Sequence, residues 1–247
     1  MSGHSKWSTI KRKKGAADSK RSKIFSRIVK EIQIATKEGG GEEENNPRLR
    51  MAILNAKGVN MPKENILRAI NKASSEGANL QEVTFEGYAP GGVALFIECL
   101  TDNNNRTVSN VRSLFTKRGG NLGTNGSLSF IFERKGIITI PKGKLNPDEF
   151  ELEIIDAGAE DISDEGDLYE ISTSMEDFGK VRRKLEEMKI EFENASLQRI
   201  PNDLKKLSKE EALKVLRIID EFEEDDDVQN VYHNIELTDE IMTAMEG

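Results

Sequence analysis

GIITIPKGKLNPDEFELEIIDAGAEDISDEGDLYEISTSMEDFGKVRRKLEEMKIEFENASLQRI, residues 136–200, decides the fold. Gly136–Ile140 is rich in β-branched residues and reads as a strand. Asn146 and Pro147 then open a helix whose apolar positions are Phe150, Ile154 and Ile155. The segments near Asp161 and over Leu168–Thr173 read as two further strands. Ser174 and Asp177 have the spacing of a capping box, and the helix that follows carries Phe178, Val181, Leu185 and Met188. FENASLQRI, residues 192–200, closes the unit as a strand. The order is β-α-β-β-α-β, the ferredoxin-like arrangement.

The flanking segments do not close on their own. VTFEGY (83–88) and GVALFIECL (92–100) read as strands, and Asn103–Arg118 reads as a helix with Val108, Val111, Leu114 and Phe115 on one face. GGNLGTNG (119–126) reads as a loop and SLSFIFE (127–133) as a strand. This unit has one helix and needs a second half. Downstream, Ser208 and Glu211 form a capping box ahead of the stripe Ala212, Val215, Leu216, Ile219 and Phe222, and VQNVYHNIEL (228–237) reads as a strand. The expected fold is therefore α+β, with two small ferredoxin-like α/β domains, one inserted in the other. Residues 81–135 and 203–240 form the outer domain and 136–202 the inserted one.

Three helices precede them. Asp18–Lys37 carries Ile24, Phe25, Ile28, Val29 and Ile32. A second helix is capped by Asn46, begins at Pro47 and ends at Gly58. A third starts at Pro62, with Ile66, Leu67 and Ile70 expected in the core. Short amphipathic helices bury their stripes against one another, so residues 18–80 are expected to form a helical domain with 1–17 projecting as a basic arm.

Charge is distributed unevenly. The first thirty residues hold ten Lys and Arg against one acid, Asp18, a formal +9; with the whole chain at −8, the other 217 residues sum to −17. A basic segment on an acidic body points to a polyanionic partner. Lys6, Lys11, Arg12, Lys13, Lys14, Lys20, Arg21, Lys23 and Arg27 can each neutralise a phosphate. Trp7, the one tryptophan, can stack on an exposed base among them. Asn103, Asn104, Asn105 and Arg106 offer amides and a guanidinium beside a helix N-terminus, a natural anion site. Lys117 and Arg118 precede a glycine-rich loop that can approach an RNA backbone. That loop lacks the Lys-Ser/Thr end of a P-loop and follows a helix, so a nucleotide site is not expected there. Tyr88–Gly92 reads as a hairpin connection.

Other classes are disfavoured. With two histidines, His4 and His233, and one cysteine, Cys99, neither a zinc cluster nor a Cys-His nucleophile is supported. Cys99 lies in an apolar run and reads as a buried structural thiol. The acidic run Glu223–Asp227 reads as a solvated helix end that would repel nucleic acid. No apolar run is long enough for a membrane helix, and no secretory signal is evident. No metal or cofactor is expected, and a cytoplasmic location is.

The words GHSKWSTIKRKK (3–14), DSKRSKIF (18–25), NMPKENILRAI (60–70), EGYAPGGVALFIECLTDNNNRT (86–107) and KRGGNLGTNGS (117–127) together resemble the YebC family. The resemblance covers most of residues 1–136; beyond that it is one of element order. It implies a three-domain α/β protein with an N-terminal helical domain and no enzymatic activity. Some members are described as DNA-binding transcriptional regulators. Others, including a mitochondrial translational activator, are described as acting on ribosomes, easing elongation through proline-rich stretches. Many members have Asn where Ser8 stands and a His-Arg pair where Arg12-Lys13 stands. The arm here keeps its charge but not those side chains.

The expected function is that of a non-enzymatic nucleic-acid-binding regulator whose partner is DNA or ribosomal RNA, with the ribosome included. The chain lacks a clear recognition helix with Arg, Asn or Gln at groove-reading spacing, which favours shape-dependent RNA or ribosome binding. The rival from another class is a protein-interaction adaptor that uses the acidic α/β domains. An enzyme acting on nucleic acid through residues 102–106 would lose turnover, but not binding, with Arg106→Ala.

Overall fold

A computed structural model describes residues 18–77, 79–143 and 145–246. In chain order the elements are α1 (Asp18–Gly39), α2 (Pro47–Gly58), α3 (Lys63–Lys72, continued by a wider turn over Ala73–Gly77), β1 (Gln81–Ala89), β2 (Val93–Thr101), α4 (Asn104–Lys117), β3 (Asn121–Leu122), β4 (Phe132–Pro141), α5 (Pro147–Asp156), β5 (Ala159–Asp164), β6 (Leu168–Thr173), α6 (Phe178–Glu187), β7 (Asn194–Pro201), α7 (Lys209–Glu223), β8 (Val228–His233) and α8 (Asp239–Glu246). The fold is α+β: three helices, then two four-stranded sheets with helices.

The chain divides into two compact units. One comprises Asn79–Glu133, Ile200–Gly247 and the described residues up to Lys30. The other comprises Glu31–Ala78 and Arg134–Arg199. The first part of α1 thus belongs to one unit and its second part to the other.

In the first unit, β1 and β2 form an antiparallel hairpin from Gln81–Thr101 to Ala89–Val93. The sheet order is β3-β1-β2-β8, so the downstream strand completes the sheet beside β2. The hairpin supplies both central strands. Alternation along β2 sends Val93, Leu95, Ile97 and Cys99 to one face, where they pack with Phe115 of α4 and Val215, Ile219 and Phe222 of α7. The Phe115 and Phe222 rings lie 4.8 Å apart. Ala94 and Phe96 point to the other face, against Leu128, Phe132 and Tyr232. The capping box at Ser208 is present in full, with both the Ser208 side chain and the Glu211 carboxylate engaged. Burial pushes the Cys99 thiol up to about 12, helped by the charges of Asp225 and Asp227. We expect it to resist alkylation in the native protein and to label on denaturation, as mass spectrometry would show.

Residues 127–131 are not a strand. They form successive turns, with Ser127 N–H donating to Thr124 O (3.1 Å), Ser129 to Gly126 O (3.3 Å) and Ile131 to Leu128 O (3.0 Å). The buried carboxylate of Glu86 accepts from Gly126 N–H (2.7 Å) and Leu128 N–H (2.6 Å), which fixes the turn. The edge strand instead falls within the expected loop, where Asn121 and Leu122 pair with Tyr88 and Gly87.

The second unit holds the sheet β5-β6-β4-β7. Counted within the unit this is second, third, first, fourth, the order of a ferredoxin-like sheet. Ile138, Ile140 and Ile171 pack with Phe150 and Ile154 of α5 and with Val181 and Leu185 of α6. Ile155, expected inside, is exposed. Pro147 opens α5 without a side-chain cap from Asn146. Ser174 Oγ accepts from Asp177 N–H (3.0 Å) in the turn before α6.

In the helical part of the same unit, Asn46 Oδ1 accepts from Leu49 N–H (3.0 Å) while its amide donates to Ala35 O and Gly40 O. One side chain therefore starts α2 and closes α1. The buried face of α3 and its extension is Ile66, Ala69 and Ala73. Leu67, about 100° further round the helix, points outward at 47 % exposure, contrary to the expectation. Asn55 pairs both polar atoms of its amide with the Ala195 backbone. Gly58 sits so close that an added Cβ would overlap the Glu193 carbonyl. Gly58→Ala should therefore destabilise the protein by about 1–3 kcal/mol, read from denaturant unfolding, because a backbone carbonyl cannot swing aside.

Candidate nucleic-acid interface

The first part of α1 presents Lys23, Arg27 and Lys30 at i, i+4 and i+7, one face of the helix. That face docks on the C-terminal end of α7 and the acidic turn after it. Lys23 Nζ donates to Glu224 O (2.9 Å) and Arg27 Nη2 to Glu223 O (2.7 Å). Lys30 Nζ donates to Asp226 O (2.8 Å), Leu100 O (3.1 Å) and Asp227 Oδ1 (3.0 Å). The last carbonyls of a helix lack intrahelical partners and carry its negative dipole end, so cations bind there favourably. Burial pulls the Arg27 guanidinium below its ordinary value.

Asp227 is the centre of this arrangement. It is not solvated: 3 % of its surface is exposed. Arg106 binds it through Nε (3.2 Å) and Nη2 (2.7 Å), and the hydroxyls of Thr101 and Thr107 donate to Oδ2 at 3.1 and 2.9 Å. Burial alone would raise the carboxyl's pKa. Hydrogen bonds from Arg106, Lys30 and Thr107 outweigh that and hold it below the ordinary value. The same contacts raise Arg106, Asp227 first and Asp102 second.

The sequence-derived candidates divide accordingly. Lys6, Trp7, Lys11, Arg12, Lys13 and Lys14 lie outside the described residues. Lys20 falls in the first turn of α1. Arg21 is exposed, its guanidinium 5.5 Å from the Phe25 ring centre. Lys23 and Arg27 sit on the Glu224 and Glu223 carbonyls, and from the Asn103–Arg106 segment Arg106 reaches Asp227. Asn103 caps α4, its Oδ1 accepting from Arg106 N–H (3.1 Å), while Asn104 and Asn105 stay exposed. Lys117 and Arg118 stand at the opposite end of α4, both exposed, with Arg118 Nε on Glu221 (2.7 Å). Sequence reasoning missed Lys30 and Asp227. The available signal was the i, i+4, i+7 spacing of cations in a chain that also holds a run of five acids.

Among the described residues, no group of three or more His, Cys, Asp or Glu is arranged to hold a metal ion, and no helix is long and apolar enough to cross a membrane.

Comparison with known proteins accounts for nearly the whole chain. Residues 5–76 match the TACO1/YebC protein N-terminal domain, and residues 80–235 match the TACO1/YebC second and third domain. A protein of Desulforapulum autotrophicum named a probable transcriptional regulatory protein is 48% identical over 247 residues, covering 99% of this chain and 100% of that one. One of Geotalea uraniireducens with the same name is 50% identical, with the same coverage. The crystal structure of a conserved hypothetical protein from Aquifex aeolicus superposes with a TM-score of 0.82 at 44% identity, covering 91% of this chain and 93% of that one. The names carried by these relatives are those of regulators, not enzymes. With both parts matched in order and the architecture shared, the chain belongs to the TACO1/YebC family.

Proposed function

We propose that this protein is a nucleic-acid-binding regulator of gene expression that catalyses no reaction and works in the cytoplasm. One observation carries the reading: the basic segment is anchored at its C-terminal part, where Lys23, Arg27 and Lys30 are engaged by the end of α7. Lys6, Lys11–Lys14, Lys20 and Arg21 are the charge assigned to phosphate. An exposed guanidinium at the outer end of α1 and a tryptophan among lysines suit a partner with both phosphates and accessible bases. The names of the relatives support regulation of transcription, hence DNA. Among the described residues no helix stands out as a clear groove reader, which favours RNA, with the ribosome as its carrier.

Retention of the full chain on duplex DNA and its co-sedimentation with ribosomes, at the same salt, test this directly. One of the two should be abolished when residues 1–17 are deleted. Capture of a protein partner that survives this deletion, with no nucleic acid bound by the intact chain, would replace the proposal with the adaptor reading.

A further inference from the structure

Residues 103–132 contain no aspartate or glutamate, although 44 of the chain's 247 residues are acidic, and no other stretch of that length is free of them. The run holds four cations, Arg106, Arg112, Lys117 and Arg118, and all four stand on α4 or at its end. One helix of the acidic body is therefore of the opposite sign. α2 also lacks acids, but its Arg48 is bound to Glu31 and Glu38, and its Arg50 to the carbonyls of Glu43 and Glu44.

Two sides of α4 are occupied. Val111 and Phe115 face the core. The flank towards α7 is neutralised: Arg106 binds Asp227, Asn110 donates to Asp225 Oδ2 (3.0 Å) and Arg118 binds Glu221 (2.7 Å). Arg112 follows Arg106 by six residues, which turns it about 120° round the axis, and it makes no ion pair among the described residues. It shares a stripe with Asn105, Ser109 and Thr116, at i, i+4, i+7 and i+11, and all four are exposed. The stripe is about 16 Å long. The side chains of Asn105, Ser109 and Ser113 bond to no described residue. An open cavity of about 370 Å³ lies against this side, lined by Asn105, Val108, Ser109, Arg112 and Ser113. Its lining is one cation, three polar side chains and the half-buried Val108.

We propose that this side of α4 is a second contact for nucleic acid, distinct from the basic arm, and that it takes the minor groove of an RNA duplex. Arg112 and Lys117 each meet a phosphate, while Asn105, Ser109 and Ser113 exchange hydrogen bonds with 2′-hydroxyls. The A-form minor groove is wide and shallow, so short side chains reach it. The major groove of DNA is about 8.5 Å deep and is read by side chains at the start of a helix. Here Asn103 is used as the cap and Arg106 is bound to Asp227. A protein partner would need aromatic or aliphatic anchors, which this stripe lacks. The assignment rests on the nucleic-acid reading given above and names the class of target.

The test uses the full chain, a short RNA duplex and a DNA duplex of the same sequence, with affinity measured by anisotropy at several salt concentrations. Arg112→Ala should weaken RNA binding by about 10-fold and lower the salt slope by about one, while Arg112→Lys retains the slope. Ser109→Ala combined with Ser113→Ala should leave the slope unchanged and reduce the preference for RNA over DNA by about 3–10-fold. Each variant should melt where wild type does, since these side chains are exposed. If Arg112→Ala and Arg112→Glu bind RNA like wild type while loss of the arm's charge abolishes binding, the α4 assignment fails and the nucleic-acid reading stands. If the wild type binds neither duplex, both fall. An Arg112→Ala defect confined to the DNA duplex or to a protein partner would also overturn the α4 assignment.

Discussion

Asp227→Ala should lower stability at neutral pH by about 3 kcal/mol, more than is usual for a salt bridge. Exposed pairs contribute little because water and salt already satisfy their charges. Asp227 differs because its side chain is 4 % exposed and accepts from Lys30, Arg106, Thr101 and Thr107 at once. Truncation leaves two buried threonine hydroxyls and two cations without that acceptor. The effect should depend on pH in one direction. The folded carboxyl titrates below its ordinary value, so its contribution is complete above the unfolded-state value of about 4 and is lost as pH falls through the lower folded value. Denaturant unfolding at pH 7 should therefore separate wild type from variant, and the gap should narrow as pH falls below about 4. Amide exchange in the first part of α1 should quicken in the variant, because Lys30 loses its carboxylate partner. Equal stability at pH 7 would show that Asp227 contributes no net binding energy to this cluster.

Removing charge from the arm should produce the largest functional loss. If Lys6, Lys11, Arg12, Lys13, Lys14, Lys20 and Arg21 all meet phosphate, the logarithm of affinity for duplex should fall with the logarithm of salt at a slope of roughly −6. Replacing Lys11–Lys14 by alanine should reduce that slope by about 3–4 and weaken binding at low salt by about 100-fold or more. Lys23→Ala and Arg27→Ala should barely alter the slope, since the carbonyls of Glu224 and Glu223 already hold those cations. Titrations by fluorescence anisotropy at several salt concentrations measure all three. A slope that falls as much for Lys23 and Arg27 as for the arm would mean that α1 leaves its place on α7 when nucleic acid binds.

Much of this molecule is legible in one dimension. Asn46 before Pro47, Ser208 before Glu211 and the β-α-β-β-α-β rhythm of residues 136–200 act within a few residues of themselves. The structure follows them. Where local pattern misleads, a distant partner has intervened. SLSFIFE has the composition of a strand, but Glu86, some forty residues earlier, holds the amides of Gly126 and Leu128 in a turn, and the strand begins only at Phe132. Leu67 has the spacing of a core residue, but the buried face of its helix is set by Ile66, Ala69 and Ala73. The acidic run after α7 looks like a solvated end until Lys30 and Arg106 are placed on it.

The candidate surface shows the same division. Periodicity, caps and composition settle the α+β class, the order of elements and the concentration of positive charge before residue 30, because each depends on neighbours three or four positions away. Tertiary structure alone decides which of the described cations are already engaged, and that Phe130 is the most exposed large apolar side chain among the described residues. Charge is counted along the chain, but its use depends on what folding brings within about 3 Å, and for Lys30 and Asp227 that partner is 197 residues away.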